Sequence, residues 1–439
     1  MNQIISNLLV YGQPPEDSIL WQLADICERL KNGTESRDAL RTRVFGQVRN
    51  LLAVATDYAF DKNLWHNYLT FLLITNENPF SLVCEKTGAQ EGSVNHFVKH
   101  DFEMFRKLFD YDFSWLEKEL SIDCFTELTH YQAIRKKELM YNKNVSEKVR
   151  TLSEALETAA DAEEFFRHVT DFYRDYGVGM FGLNKAFRIA ENGDGTVRFL
   201  PINNMDSVVL SDLIGYELQK KRLIGNTQAF VDGRAANNVL LFGDSGTGKS
   251  TSIKAIVNQF YPQGLRMIEI YKHQFKDLSA IIAQIKNRNY RFIIYMDDLS
   301  FEEFEIEYKF LKAVIEGGVE TKPDNILIYA TSNRRHLIKE TWHDREDMEH
   351  NEDIHRSDTM EEKLSLVNRF GLTIFFAKPN KADFNEIAVG LARRAGIEES
   401  VMTDEEICYE ANRFEMRGGG LSGRTAQQFV NYLLTLGRA

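Results

Sequence analysis

The sequence predicts an α/β fold in its C-terminal half, a parallel sheet flanked by helices, with mostly α-helical regions before and after it. After about residue 208, the strand-like segments NNVLLFG, RMIEIY, RFIIYMDD and NILIYATS alternate with helix-like segments, which is typical of a parallel sheet covered by helices. Before about residue 175, apolar residues recur every three or four positions, as in amphipathic helices. After Pro379 the pattern is helical to the end.

The chain is long enough for more than one core, because it has 439 residues and single cores stop growing at about 250 to 300. On both sides of Asn192-Gly193-Asp194-Gly195 the pattern alternates, which predicts a β-hairpin. We therefore expect a mostly helical N-terminal domain over residues 1–200 that ends in this hairpin. An α/β domain over 201–380 and a helical lid subdomain over 381–439 follow it.

Composition favours an ordinary globular protein of the cytoplasm. Hydrophobic residues make up 43% and charged residues 27% of the chain, and no apolar run is long enough to span a bilayer. The net charge of −12 does not support nucleic acid as the default partner. The scattered cysteines form no CxxC pair and fit a reducing compartment; they are Cys27, Cys84, Cys124 and Cys408.

One motif indicates phosphate binding. The segment Gly243-Asp244-Ser245-Gly246-Thr247-Gly248-Lys249-Ser250 fits G-x-x-x-x-G-K-[ST] and lies between a predicted strand and a predicted helix. Such a P-loop wraps backbone N–H groups around phosphates, while its lysine reaches the outer phosphates and its hydroxyl binds Mg²⁺. We expect residues 243–251, which end at Thr251, to bind ATP, and Ser250 to bind Mg²⁺. The alternative is a glycine-rich turn with an incidental lysine.

Two acids follow the apolar strand Phe292 to Met296. In a P-loop protein, Asp297 at this place would hold Mg²⁺ and Asp298 would orient the attacking water. Many such enzymes carry glutamate at the second place, so Glu302 or Glu303 could substitute for the shorter Asp298. The alternative is that the two acids only cap a buried strand.

A third strand, Ile326 to Ala330, ends in Thr331-Ser332-Asn333. A polar residue at this place would lie between the two preceding strands, near the γ-phosphate. We select Asn333 for this position, and the alternative is a turn residue in a loop.

The order of P-loop, paired acids and polar strand end resembles the AAA+ superfamily. This resemblance implies that Asn333 is sensor 1, that Arg369 in LVNRFG is an arginine finger reaching a neighbouring subunit, and that Arg424 in GLSGRTA is sensor 2. It also implies adenine contacts from Ile214, Gly215 and Tyr216 in LIGYE. A core turn at 214–216 and surface ion pairs for the two arginines are the alternatives.

More narrowly, GRAANNVLLFGDSGTGKS, YMDDLSFEE, YATSNRRHLIKE and GLSGRTAQQFV resemble a bacterial family of predicted AAA+ ATP-binding proteins catalogued as a domain of unknown function. The resemblance covers about residues 208 to 435 and implies nucleotide binding without naming a client. The acidic stretch 340–362, with His343, His350 and His355, departs from a generic AAA+ module and is interpreted as a solvated charged loop. A metal site there is the alternative.

These observations leave several functions open. The leading hypothesis is an oligomeric ATPase that uses hydrolysis to remodel or load a protein partner, with Arg369 completing the site of the next subunit. The second is a nucleotide-gated adaptor that binds ATP with little turnover, a hypothesis that the short Asp298 supports. A small-molecule kinase shares the P-loop but needs an acceptor pocket, and loading onto nucleic acid rests on analogy alone.

Overall fold

The computed structural model describes residues 1–134, 143–191, 196–203, 205–301, 307–316, 323–333, 366–416, 418 and 420–436. The chain divides into two compact units. Unit 1 comprises Met1–Asn184 with Ile202–Asn204, and unit 2 comprises Lys185–Pro201 with Met205–Ala439.

The described part of unit 1 is built from helices, as the apolar periodicity predicts. They are α1 (Asn2–Ile5), α2 (Ile19–Asn32), α3 (Arg37–Tyr58), α4 (Leu64–Thr75), α5 (Pro79–Thr87), α6 (Val94–Phe109), α7 (Ser114–Leu120), α8 (Cys124–Thr129), α9 (Lys143–Glu157), α10 (Ala162–Tyr176) and α11 (Gly179–Leu183). Side chains cap several of these helices; Ser18, for example, accepts the N–H of Trp21 at the start of α2, which satisfies a group without an intrahelical partner.

Aromatic packing between α6 and α10 forms much of the core of unit 1. The rings of Phe102 and Phe165 are both fully buried, and their centroids lie 5.4 Å apart. The buried Asp101 carboxylate accepts the N–H groups of Leu9 and Val10 at 2.8 Å each. A buried carboxylate needs such donors, so Asp101 fastens the N-terminal segment to α6.

Unit 2 is organised around a mixed sheet in the order β2-β1-β4-β5-β6-β3-β7. Its strands are β1 (Ala186–Glu191), β2 (Val197–Pro201), β3 (Val239–Gly243), β4 (Leu265–Glu269), β5 (Arg291–Met296), β6 (Ile326–Ser332) and β7 (Leu372–Phe376). All neighbours pair in parallel except β1 and β2. The predicted parallel sheet is confirmed, and β7 adds a strand beyond the four that the sequence indicated.

The predicted hairpin forms, but it joins the sheet. β1 and β2 pair antiparallel, and β1 also pairs in parallel with β4 through Ala186 and Phe187. The predicted limit at residue 200 places the hairpin in the N-terminal domain, whereas the compact units divide at Asn184 and Lys185. A two-stranded hairpin is barely stable alone, so the inward face that carries Phe187 and Phe199, both buried, is stabilised by the larger sheet.

The described helices of unit 2 flank this sheet or follow it. They are α12 (Glu217–Val231), α13 (Lys249–Phe260), α14 (Leu278–Ile285), α15 (Glu307–Glu316), α16 (Lys381–Arg394), α17 (Asp404–Glu415) and α18 (Gly423–Thr435). The last three share a small core that includes the buried Phe384, Ile407 and Phe429. The helical end of the chain predicted after Pro379 is therefore confirmed in the described residues.

Strand order determines where polar side chains meet. β6 lies between β5 and β3, and all three strands are parallel. Because the carboxyl ends of parallel strands share one edge of the sheet, the end of β6 lies between Gly243 at the end of β3 and the two acids that follow β5. This edge contains the candidate site described below.

Close approach of β3 and β7 makes Gly243 sensitive to substitution. Gly243 has φ +134°, and a Cβ there would lie 2.1 Å from the carbonyl oxygen of Phe376. We expect Gly243→Ala to lower the free energy of unfolding by about 3 kcal/mol or more, because backbone strain and overpacking add.

Gly264→Ala is the matched control, since Gly264 also has positive φ, at +92°, but open space around its Cβ position. That variant should lose about 1–2 kcal/mol, from strain alone. Urea unfolding of both variants provides the comparison, and equal losses would contradict the contact with β7.

Candidate nucleotide-binding site

The P-loop lies where the sequence predicts it, between β3 and α13. Gly246 and Gly248 have φ +78° and +89°, a backbone region that glycine adopts without strain. Lys249 begins α13, so Ser250 and Thr251 lie in its first turn. The N-terminus of this helix provides backbone N–H groups and a positive dipole end for phosphate oxygens.

Lys249 is buried, with only 6% of its surface exposed. Its ammonium donates to the carbonyl oxygens of Gly243 and Asp244 at 3.0 and 2.6 Å, and to Asn333 Oδ1 at 3.0 Å. Burial lowers the pKa of Lys249, while the negative charges of Asp244, Asp298 and Asp297 oppose that shift. These contacts hold the lysine head beside the strand edge.

The Asp297 carboxylate connects three parts of the site. Its Oδ1 accepts from the hydroxyls of Ser250 at 2.7 Å and Thr331 at 2.5 Å, and more weakly from the N–H of Asp298 at 3.2 Å. Burial by itself would raise the pKa of Asp297, but the hydrogen bonds from Thr331 and Ser250 keep it below its ordinary value. Asp297 therefore stays ionised at neutral pH.

Asp298 and Asn333 also lie together. Asn333 Nδ2 donates to Asp298 Oδ1 at 2.7 Å, while its Oδ1 accepts from Lys249. Asp298 has a left-handed φ of +49°, and its N–H donates to Thr331 Oγ1 at 2.9 Å. The structure thus brings together the P-loop lysine, the second acid and the predicted sensor 1 residue.

A cavity of about 750 Å³ opens beside these groups, within the range of nucleotide-sized ligand sites. Residues of the P-loop, the strand ends, the segment before α12 and the C-terminal helices line it together. They include Leu213, Ile214, Tyr216, Ser245, Gly246, Thr247, Gly248, Lys249, Ser250, Thr251, Asp297, Asp298, Thr331, Asn333, Ile387, Leu391, Arg394 and Arg424.

Some predicted residues support the cavity from outside its lining. Gly215 has φ +77° and forms the turn between Ile214 and Tyr216. The Asp244 carboxylate accepts the N–H of Lys378 at 3.0 Å, and so joins the P-loop to the connection between β7 and α16.

Arg424 reaches the P-loop from α18. The backbone N–H of Arg424 donates to the carbonyl oxygen of Gly246 at 3.2 Å, and its guanidinium Nη1 lies 3.5 Å from Ser245 Oγ. Ser422 caps this helix by accepting the N–H of Thr425. The predicted sensor 2 arginine therefore lies at the phosphate end of the cavity.

Arg369 does not lie at this cavity. It precedes β7, whose first residue, Leu372, pairs with Val239 at the start of β3. The P-loop begins at the opposite end of β3, at Gly243, about 13 Å further along at the usual strand rise. Arg369 is therefore near the sheet edge opposite the nucleotide site of its own chain.

Sequence reasoning missed two polar residues of the site. The sequence shows Thr331 as a polar residue at the end of β6, but no sequence motif assigns a role to its hydroxyl. Arg394, at the end of α16, donates to the carbonyl oxygens of Ser211 and Asp212 and thus fastens α16 to the segment before Ile214. No sequence pattern marks this contact, because it joins positions far apart in the chain.

The oxygen donors present suit Mg²⁺. The hydroxyl of Ser250 and the carboxylates of Asp297 and Asp298 are hard ligands, and Mg²⁺ in phosphate sites is held by one or two carboxylates together with the phosphates. Among the described residues, no group of three or more His, Cys, Asp and Glu side chains is placed to hold a metal ion by itself. Nucleotide oxygens would therefore complete the coordination. Glu302, Glu303 and the histidines at 343, 350 and 355 lie outside the described residues.

The P-loop, the order of the parallel strands and the helical C-terminal part define an α/β P-loop nucleotide-binding fold of the AAA+ type. A family model described as "Protein of unknown function (DUF815)" matches residues 183–436. The match covers more than half of the chain, and the chain belongs to this family.

Solved structures with similarity to the chain include two of RuvB from Thermotoga maritima, one a variant and one described as a Holliday junction branch migration motor. They share 16% and 15% identity, cover 51% of this chain and 72% of theirs, and have TM-scores of 0.32 and 0.31. No curated protein matches the chain. No described helix is both long and apolar enough to cross a bilayer.

The hydroxyl of Thr331 should stabilise the site in a pH-dependent way. We expect Thr331→Val to lower the free energy of unfolding at pH 7 by about 1–2 kcal/mol, because the N–H of Asp298 loses the nearer of its two acceptors and Asp297 loses a donor. Because the pKa of Asp297 is lower in the folded protein than in the unfolded chain, its ionised carboxylate stabilises the fold at pH values above the unfolded-state pKa. This contribution disappears as the pH falls through the lower, folded-state pKa. The difference between wild type and variant should therefore shrink below about pH 4.

Thr70→Val provides the control, because the Thr70 hydroxyl is fully buried and has no hydrogen-bond partner among the residues that the structure describes. That variant should be neutral or more stable at every pH. Urea unfolding between pH 3 and 7 measures both effects, and a loss of stability for Thr331→Val that does not change with pH would contradict the role given to Asp297.

Proposed function

We propose that this chain is a Mg²⁺-dependent ATPase that acts as an oligomer, in the cytoplasm, and uses hydrolysis to remodel or load a protein partner. The observation that carries the proposal is the contact network at the strand edge. Asn333 touches both Lys249 and Asp298, and Asp297 is held by Ser250. These are the groups that bind and hydrolyse a nucleoside triphosphate in P-loop proteins.

Each group has a defined task in this proposal. The P-loop N–H groups bind the β- and γ-phosphates, and Lys249 leaves its carbonyl partners to neutralise their charge. A Mg²⁺ ion held here would supply positive charge against the charge that develops on the phosphates. Ser250 and Asp297 would hold the cation, while Asp298 orients the attacking water and Asn333 orients Asp298.

Arg424 and Arg369 have separate tasks in this proposal. Arg424, at the phosphate end of the cavity, would stabilise charge on the phosphates from the C-terminal helices, which act as a lid. Arg369 lies near the sheet edge opposite the nucleotide site of its own chain, so it would serve the site of another copy. Residues 201–380 would then form the catalytic domain, residues 381–439 the lid, and the helical N-terminal region the part that holds a partner.

One observation favours a second candidate, a nucleotide-gated adaptor with little turnover. Asp298 is shorter than the glutamate found at this place in many P-loop ATPases, and Asn333 engages its carboxylate. An acid held in this way can sense the γ-phosphate without activating water quickly. The adaptor would use the same cavity and the same Mg²⁺ site.

Phosphate release from ATP across a protein dilution series distinguishes the two candidates. We expect turnover per chain to rise with protein concentration, because assembly supplies Arg369 to the neighbouring site. Lys249→Ala should abolish ATP binding. Asp298→Asn should keep binding and lose turnover about 100-fold or more.

Arg369→Ala should reduce turnover about 1,000-fold, the lower limit for arginine fingers, without weakening ATP binding to the single chain. Arg413→Ala is the matched control, because Arg413 is an exposed arginine of α17 that pairs with Glu410; its turnover should be unchanged. ATP binding through Lys249 without turnover at any protein concentration would reject the ATPase in favour of the adaptor.

A further inference from the structure

The lining of the candidate site divides into two parts of different chemistry. One part is polar and contains the P-loop, the acids after β5 and Asn333, whereas Leu213, Ile214, Ile387 and Leu391 form an apolar part. Phosphates bind to the backbone N–H groups of the polar part. The apolar part therefore suits the base of a nucleotide, a flat group that is held mainly by apolar contact.

Helix α16 supplies one wall of the apolar part. Ile387, Leu391 and Arg394 all line the cavity and follow one another at intervals of four and three residues, which places them on one face of the helix. Gly390 lies on the same face, and a Cβ there would lie 2.3 Å from Ile214 Cδ1. Glycine weakens a helix relative to alanine, but here its lack of a side chain lets α16 approach the segment that carries Ile214.

Arg394 makes a second contact between α16 and this segment, one turn after Gly390. Its two terminal nitrogens donate to the carbonyl oxygens of Ser211 and Asp212, and Nη1 lies 3.6 Å from the Asp212 carboxylate. The same carboxylate accepts the N–H of Val209 at 2.8 Å. A guanidinium is planar and carries its donors in a fixed fork, so Arg394 fixes the direction of two successive carbonyl groups at once.

The next carbonyl oxygen along the chain is held by a second cation. Lys220 of α12 is buried and donates to the carbonyl oxygen of Leu213 and to the Glu217 carboxylate at 2.8 Å. Peptide groups are planar, so donors on the carbonyl groups at positions 211, 212 and 213 fix the backbone that leads to Ile214. Of the two cations, Arg394 is the one that lines the cavity and belongs to the C-terminal helices.

We propose that Arg394 is a positioning residue for the base of the nucleotide. Its guanidinium holds the backbone of Ser211 and Asp212 against α16, so that the apolar side chains of the two segments keep the spacing that a flat heterocycle needs. This inference rests on the proposed nucleotide site and adds to it the residue that shapes its apolar part. The C-terminal helices would then contact the base end of the nucleotide as well as the phosphates.

The test compares Arg394→Ala with Arg393→Ala in the full-length protein. Arg393 is the matched control, because it is adjacent in α16 but donates to the carbonyl oxygens of Ile397 and Met402, at 2.7 and 3.0 Å, and to Asp404, all within the C-terminal helices. Titration calorimetry with Mg²⁺ measures the affinity for two ligands. One is a non-hydrolysable ATP analogue, and the other is inorganic tripolyphosphate, which has the phosphates without the base.

The two ligands should respond differently to the loss of the guanidinium. We expect Arg394→Ala to bind the ATP analogue about tenfold more weakly, the scale for losing a hydrogen bond from a charged group, and to bind tripolyphosphate as wild type does. Arg393→Ala should bind both ligands as wild type does. Arg394→Lys should remain weaker than wild type for the analogue, because an ammonium does not reproduce the fork.

A merely structural role would weaken both ligands together and lower the thermal unfolding midpoint, and that result would overturn the inference. Unchanged affinity of Arg394→Ala for the analogue, or full recovery in Arg394→Lys, would overturn it as well. Wild-type protein that binds tripolyphosphate as tightly as the analogue would show that the apolar part holds no base. Wild-type protein that binds neither ligand would instead reject the proposed function itself.

Discussion

The hydrogen bonds to Asp297 are the interaction on which the rest of the site depends. One carboxylate oxygen accepts from Ser250 in the first turn of α13 and from Thr331 at the end of β6, while Asp297 itself follows β5. Three chain segments that are distant in sequence are therefore held at one point. The spacing between the P-loop and the paired acids is set by this contact, because neither the helix nor the strands can shift without breaking it.

Parallel strand order makes this contact possible. Had β6 paired outside β5 rather than between β5 and β3, its terminal residues would lie on the far side of the acids from the P-loop. With β6 in the central position, Thr331 reaches the acids after β5. Asn333 then connects Lys249 to Asp298, so the state of the lysine and that of the second acid are coupled through one amide group.

The sequence predicted those parts of the fold and site whose signal is local. The P-loop, the acids after β5 and the helical periodicity of unit 1 each lie within one short segment, and the fold follows these patterns. The pairing of the hairpin with β4 was not predictable, since a hairpin pattern does not specify which strand its edge will join. Thr331 and Arg394 contact residues far away in the chain, and no local pattern marks those contacts. The predicted roles of Asn333, Arg369 and Arg424 remain predictions.

The connection between β7 and α16 is short, and several of its backbone groups are hydrogen-bonded to side chains. The Tyr216 hydroxyl donates to the carbonyl oxygen of Ala377 at 2.8 Å, the Asp244 carboxylate accepts the N–H of Lys378, and Asn380 caps α16. Tyr216 belongs to the predicted adenine segment and Asp244 to the P-loop. The connection is therefore rigid rather than flexible. Any rotation of the C-terminal helices relative to the sheet would displace the predicted adenine segment and the P-loop together.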